Sequence, residues 1–79
     1  MKRDRLEILG TILTICNKGA KKTEIVYKAN LNFKNAEVYL KWLIDREMIM
    51  QEGKVFKTTP KGARLLSDLQ SASAFLDLK

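Results

Sequence analysis

Lys34, Asn35, Val38 and Lys41 follow one another at gaps of one, three and three residues, the spacing that gathers side chains on one face of a helix. Their chemistry suits a surface that meets a polyanion and reads it. An ammonium group reaches a phosphate or a guanine edge, an amide pairs with N6 and N7 of adenine, and a branched methyl meets the thymine methyl. Lys21 and Lys22, with Lys18 nearby, stand ahead of a short helical segment whose N-terminus suits a phosphate. Lys54 and Lys57 flank a glycine turn and are placed for phosphate or minor-groove contacts. Glu37 runs against this pattern: phosphates repel it unless it accepts from cytosine or pairs with Lys34 or Lys41. Each group also has a plainer structural reading. The helical set would be a solvated face, the lysines ahead of the helix a solvated loop, and the turn lysines a guard against edge-to-edge strand pairing.

Composition narrows the chemistry further. The 79 residues contain one cysteine and no histidine, which excludes an internal disulfide, Cys/His zinc sites, histidine acid–base catalysis and histidine-activated nucleophiles. Gly53-Lys54 is the only Gly-Lys pair and lacks the upstream glycine of a phosphate loop. No enzyme activity, cofactor, metal or small-molecule ligand is expected. The net charge of +6 favours a nucleic-acid partner, because neutralising phosphates releases condensed counterions. The surface aromatics are too few for an RNA-stacking platform, so the duplex expected is DNA. With no apolar run long enough for a bilayer and no signal-like start, the expected location is cytoplasmic and nucleoid-associated, with no membrane partner.

Five elements are needed to position these groups. A first helix follows Asp4, with Leu6, Leu9, Leu13 and Cys16 on one face and Ile8, Ile12 and Ile15 widening the stripe until it must touch two neighbours. Asn17-Lys18-Gly19 ends it. Thr23 is read as the cap of a second helix from Glu24 to Ala29 or Asn30, and Asn30-Leu31-Asn32 as a tight turn with Asn32 capping a third. The third helix spans about Phe33 to Glu47 and turns Phe33, Ala36, Leu40, Leu43 and Ile44 inward, with Tyr39 on the border. Met48 to Gln51 and Val55 to Thr58 read as a hairpin about Glu52-Gly53-Lys54. Thr59 then caps a last helix with Pro60 at its first position. The expected fold is mainly α with a small β-hairpin. Two short helices about a tight turn form a helix-turn-helix whose second helix is the reader.

The run from Lys22 to Phe33 followed by Tyr39-Leu40 and Leu43, together with Phe56-Lys57-Thr58-Thr59-Pro60-Lys61-Gly62, resembles a family of small archaeal winged-helix DNA-binding proteins. These are the chromatin-associated "ten-a" proteins and related predicted transcriptional regulators. The resemblance covers roughly Leu6 to Leu69. It implies a winged helix-turn-helix over residues 1–64 and a C-terminal dimerisation helix over residues 60–79, hence a homodimer with two DNA-binding heads. Thr58 departs from the pattern, which has an aliphatic residue there, and a looser second wing strand is expected. The last helix is also shorter than the family's long arm.

The function expected is binding of double-stranded DNA as a transcriptional regulator or chromatin-type protein. The reader helix would lie in the major groove and the wing on the backbone or minor groove. The rival is a winged-helix protein-interaction module without DNA binding. Trp42, on the outer side of the reader helix, is open to packing within the protomer, covering the wing, a partner subunit or the DNA backbone. Cys16 reads as a small core residue. Ala72, Phe75 and Leu76 extend past the expected domain and are assigned, with Ile8 and Ile12, to the dimer interface.

Overall fold

The structure, a computed structural model, describes residues 5–76, with side chains through residue 69 and at residue 71. The elements run α1 (Arg5–Cys16), β1 (Ala20–Lys21), α2 (Lys22–Ala29), α3 (Phe33–Asp45), β2 (Ile49–Glu52), β3 (Val55–Thr58) and α4 (Pro60–Leu76). No described helix is long and apolar enough to cross a membrane.

The broad apolar stripe of α1 makes it the central helix, packed against α2, α4 and β3. Leu9, Ile12, Leu13 and Cys16 are buried there with Ile25 and Ala29 of α2, Leu40 and Leu43 of α3, and Ile49 and Phe56 of the sheet. Burial of each large aliphatic side chain in that set contributes roughly 1.5–3 kcal/mol. Ile12 is 0% exposed, so the core of the protomer already covers it and it is withdrawn from the expected dimer interface. Ile8 is half-buried against the same core. Phe33, expected inside, stands at the start of α3 and is 51% exposed.

Turn chemistry sets the crossing of α2 and α3. The left-handed Asn30, φ 56°, ends α2 while the Leu31 N–H reaches back to the Val26 carbonyl at 3.0 Å. Asn32 then caps α3, its Oδ1 accepting from the Asn35 N–H at 2.7 Å. The start of α2 differs from the expectation. Thr23 lies within the first turn, and the cap position belongs to Lys21, whose N–H donates to the Glu24 carboxylate at 3.4 Å. Lysine offers no acceptor, so only this half of a capping box can form.

The expected hairpin is part of a three-stranded antiparallel sheet in the order β1-β3-β2. Ala20 pairs with Phe56 and Lys21 with Val55, so the segment just before α2 is tied to the wing. The β2–β3 turn has a positive φ at Gly53 alone, 61°, the type II′ pattern in which glycine takes the first central position. Thr58 does not loosen β3. Its hydroxyl donates to the Leu13 carbonyl at 2.7 Å, while the Asn17 N–H turns to Thr14 instead. The strand is thereby fastened to the last turn of α1. Immediately after β3, Thr59 caps α4 as expected, its hydroxyl accepting from the Gly62 N–H at 3.1 Å.

Candidate nucleic-acid interface

The outer side of α3 is an exposed ridge between two hollows. On one side a groove of about 710 Å³ runs between α3, the start of α2 and the wing. Lys21 and Lys22 line it from the β1–α2 junction, Lys34 and Lys41 from α3, and Lys54 from the hairpin turn. Leu40, Ile44 and Phe56 form part of its floor. Five lysines from three chain segments therefore line one concavity. Their convergence depends on β1, because its pairing with β3 brings Lys21 and the head of α2 up to the wing.

Of the eight groups expected to meet a polyanion, the groove gathers Lys21, Lys22, Lys34, Val38, Lys41 and Lys54. Val38, 61% exposed, is the crest of the ridge and lines both hollows. Asn35 is exposed but falls on the far flank, in a smaller hollow with Arg5, Leu6, Leu9, Tyr39 and Trp42. Lys57 is the other departure. Strand alternation turns it from Phe56's side to the opposite face, where its methylenes come within 3.5 Å of the space beside the Gly19 Cα.

Trp42 is 38% exposed and faces away from the wing. The Arg46 guanidinium stacks over its ring, 3.8 Å from the centroid, and donates to the Trp42 carbonyl at 3.3 Å. The indole thus lines the same hollow as Arg5, Leu6 and Leu9 of α1 and does not cover the wing. Glu37, the one carboxylate lining the basic groove, takes neither partner expected for it. Its carboxylate lies 3.4 Å from the Lys22 Nζ, across the helix-turn-helix. Sequence spacing brings Lys34 and Lys41 to mind first, since they sit three and four residues from Glu37 on the same helix.

Cys16 is fully buried in the core. Desolvation, with a lesser contribution from the Glu24 carboxylate, pushes its thiol up from 9.0 to about 12. It has no reach to the groove surface. Among the described residues no three His, Cys, Asp or Glu side chains are grouped to hold a metal ion. The side chains of Ala72, Phe75 and Leu76 lie outside the described residues, although the backbone of α4 is helical to Leu76.

A family model described as winged helix-turn-helix matches residues 2–76. Uncharacterized protein MJ0290 of Methanocaldococcus jannaschii is 41% identical over 71 residues, covering 89% of this chain and 34% of that protein. Uncharacterized protein MJ0287 of the same organism is 33% identical over 79 residues, covering 99% of this chain and 81% of that protein. The chain thus spans about a third of the length of the first relative and about four-fifths of the second. The crystal structure of Sso10a-2, a DNA-binding protein from Sulfolobus solfataricus, superposes with a TM-score of 0.83 at 25% identity. That match covers 95% of this chain and 83% of the other.

Proposed function

The chain belongs to the winged helix-turn-helix family, and from that premise we propose that it binds double-stranded DNA. In this reading α3 enters the major groove and the wing lies on the backbone or minor groove. The observation that carries it is the convergence of Lys21, Lys22, Lys34, Lys41 and Lys54 beside an exposed helical ridge. Their charge supplies affinity through counterion release, and Val38 with the side chains around it supplies base contacts. The likeness to Sso10a-2, itself a DNA-binding protein, supports the same reading, as does the archaeal winged-helix resemblance carried by the two motifs.

The role that follows is that of a transcriptional regulator or a chromatin-type protein, which share this surface and differ in selectivity. A homodimer fits the role, with the outer turns of α4 joining two heads. Its contacts are assigned to Ala72, Phe75 and Leu76, and to Ile8 at the rim of α1. No catalytic step is assigned, and a cytoplasmic place on the nucleoid follows from the partner.

Retardation of mixed genomic fragments at low salt tests the proposal. Binding that weakens steeply with salt is expected, with a slope of about −0.9 for each neutralised phosphate. Absence of retardation at low salt overturns it in favour of a protein-interaction module. Sizing beside the binding assay checks the dimer.

A further inference from the structure

Glu37 stands against the purpose of the groove it lines, a single carboxylate among Lys21, Lys22, Lys34, Lys41 and Lys54. A surface made only to hold phosphates loses affinity through such a group, because like charges repel. Stability is a weak reason for its presence. The Lys22–Glu37 pair is open to solvent, with side chains 37% and 61% exposed, and pairs of that kind contribute little to stability. The choice of partner is more informative. At 3.4 Å from the Lys22 Nζ of the preceding helix, the carboxylate lies on the α2 side of the ridge. Lys34 and Lys41 are then left for the polyanion.

We infer that Glu37, positioned by Lys22, is a specificity-determining residue that accepts a hydrogen bond from the N4 amino group of cytosine in the major groove. The inference rests on the DNA-binding reading above. Its chemistry follows from the base edges. In the major groove guanine shows two acceptors, adenine an acceptor beside its donor, and thymine an acceptor and a methyl group. Cytosine alone presents a donor and no acceptor of its own, so it is the base a carboxylate tolerates best. At every other base the carboxylate is desolvated without a donor of its own or repelled by an adjacent acceptor. The ion pair has a second consequence. While Lys22 holds Glu37, its charge is shared and it neutralises a phosphate less completely.

Removing the carboxylate should therefore improve general binding while degrading selection, the reverse of what loss of a structural residue does. The test is selection from a random duplex pool, followed by salt titrations, on the wild-type protein and on Glu37→Ala. Thermal melting of the variant verifies its fold. Wild type is expected to enrich cytosine at one fixed position of each half-site, about tenfold over the other bases. Glu37→Ala, which removes both the charge and the acceptor, should lose that enrichment and bind the non-cytosine duplexes more tightly. Its salt slope should steepen by up to about 0.9 as Lys22 is released to a phosphate. If Glu37→Ala does not fold, Lys22→Gln serves instead, since it leaves the carboxylate unheld and should blunt the cytosine preference.

Retention of the preference in the variant used overturns the inference. So does an even loss of affinity for all duplexes, which marks a structural role. Duplex binding by wild type without cytosine enrichment also overturns it, while leaving the DNA-binding reading intact. Failure of wild type to bind any duplex overturns both.

Discussion

The Met48 carbonyl oxygen occupies the space that a side chain on Gly62 would need. The same oxygen accepts the Thr59 N–H at 2.9 Å, and the Thr59 hydroxyl donates to the neighbouring Glu47 carbonyl at 2.6 Å. The first turn of α4 is thus fastened onto the loop that leaves α3. That junction sets the strand β2 on its course from the ridge helix and closes the wing back onto the core.

Gly62→Ala should destabilise the protein by about 3 kcal/mol, since the Cβ meets backbone that has no rotamer to yield. Gly10→Ala is the control. There the new methyl would lie 3.8 and 3.9 Å from Leu69 and Leu66 methyls, ordinary contacts, and the helix interior gains about 0.5–1 kcal/mol. Urea unfolding of both variants checks the pair, and equal effects would refute the steric account.

Glu47→Gly should stabilise by about 0.5–1 kcal/mol. Glu47 ends α3 at φ 60°, donating its N–H to Ile44 while the Met48 N–H returns to Leu43. This double bond pattern normally employs glycine, which has no Cβ to crowd the left-handed backbone. Thermal melting is the measurement, and a lower midpoint would show that the Glu47 side chain contributes more than its backbone costs.

Thr58→Val should cost about 1–2 kcal/mol despite the gain in β propensity. The loss is the hydroxyl bond to the Leu13 carbonyl, 2.7 Å, at a partly buried site. Amide exchange should quicken in the last turn of α1 as well as in β3. An unchanged stability would mean that solvent satisfies the carbonyl equally well.

Lys54→Ala and Lys41→Ala should each weaken every duplex and make the salt slope shallower by about 0.9. Lys57→Ala should leave the slope unchanged, because β3 turns that side chain away from the groove. Titrations at several salt concentrations distinguish the three. A Lys57 effect equal to that of Lys54 would place the duplex on both faces of the wing.

Stability should fall as pH rises above about 9, through the Cys16 thiol. The folded state holds that proton more tightly than the unfolded chain, from 9.0 up to about 12, so the contribution is complete below the lower value and lost toward the higher. Between about pH 8 and about pH 10.5 the wild type should lose about 2 kcal/mol more than Cys16→Ala. Denaturant unfolding of both at the two pH values decides it, and equal losses would assign the alkaline sensitivity to other groups.

Local chemistry was legible along the chain. Asn30, Asn32, Gly53, Thr59 and Pro60 act through backbone geometry and short hydrogen bonds, so their types mark the turns and caps without knowledge of partners. The apolar periodicity of α1 likewise signals a helix with neighbours on more than one side. The eight expected contact groups were legible as types, and six of them line one groove. Thr23 was misplaced as a cap because Thr is a good capping residue, whereas the extended backbone at Lys21 is imposed by its pairing with Val55.

Sequence by itself determined the order of helices and turns and the basic character of the ridge, since these depend on residue type and near neighbours. Tertiary structure alone decided that Ile12 is interior, that Asn35 and Lys57 fall outside the groove, and that Glu37 pairs with Lys22. The reason is common to all of these. Each depends on which way a side chain points relative to an element distant in sequence, and that direction is fixed by strand pairing and helix crossing, which periodicity does not encode.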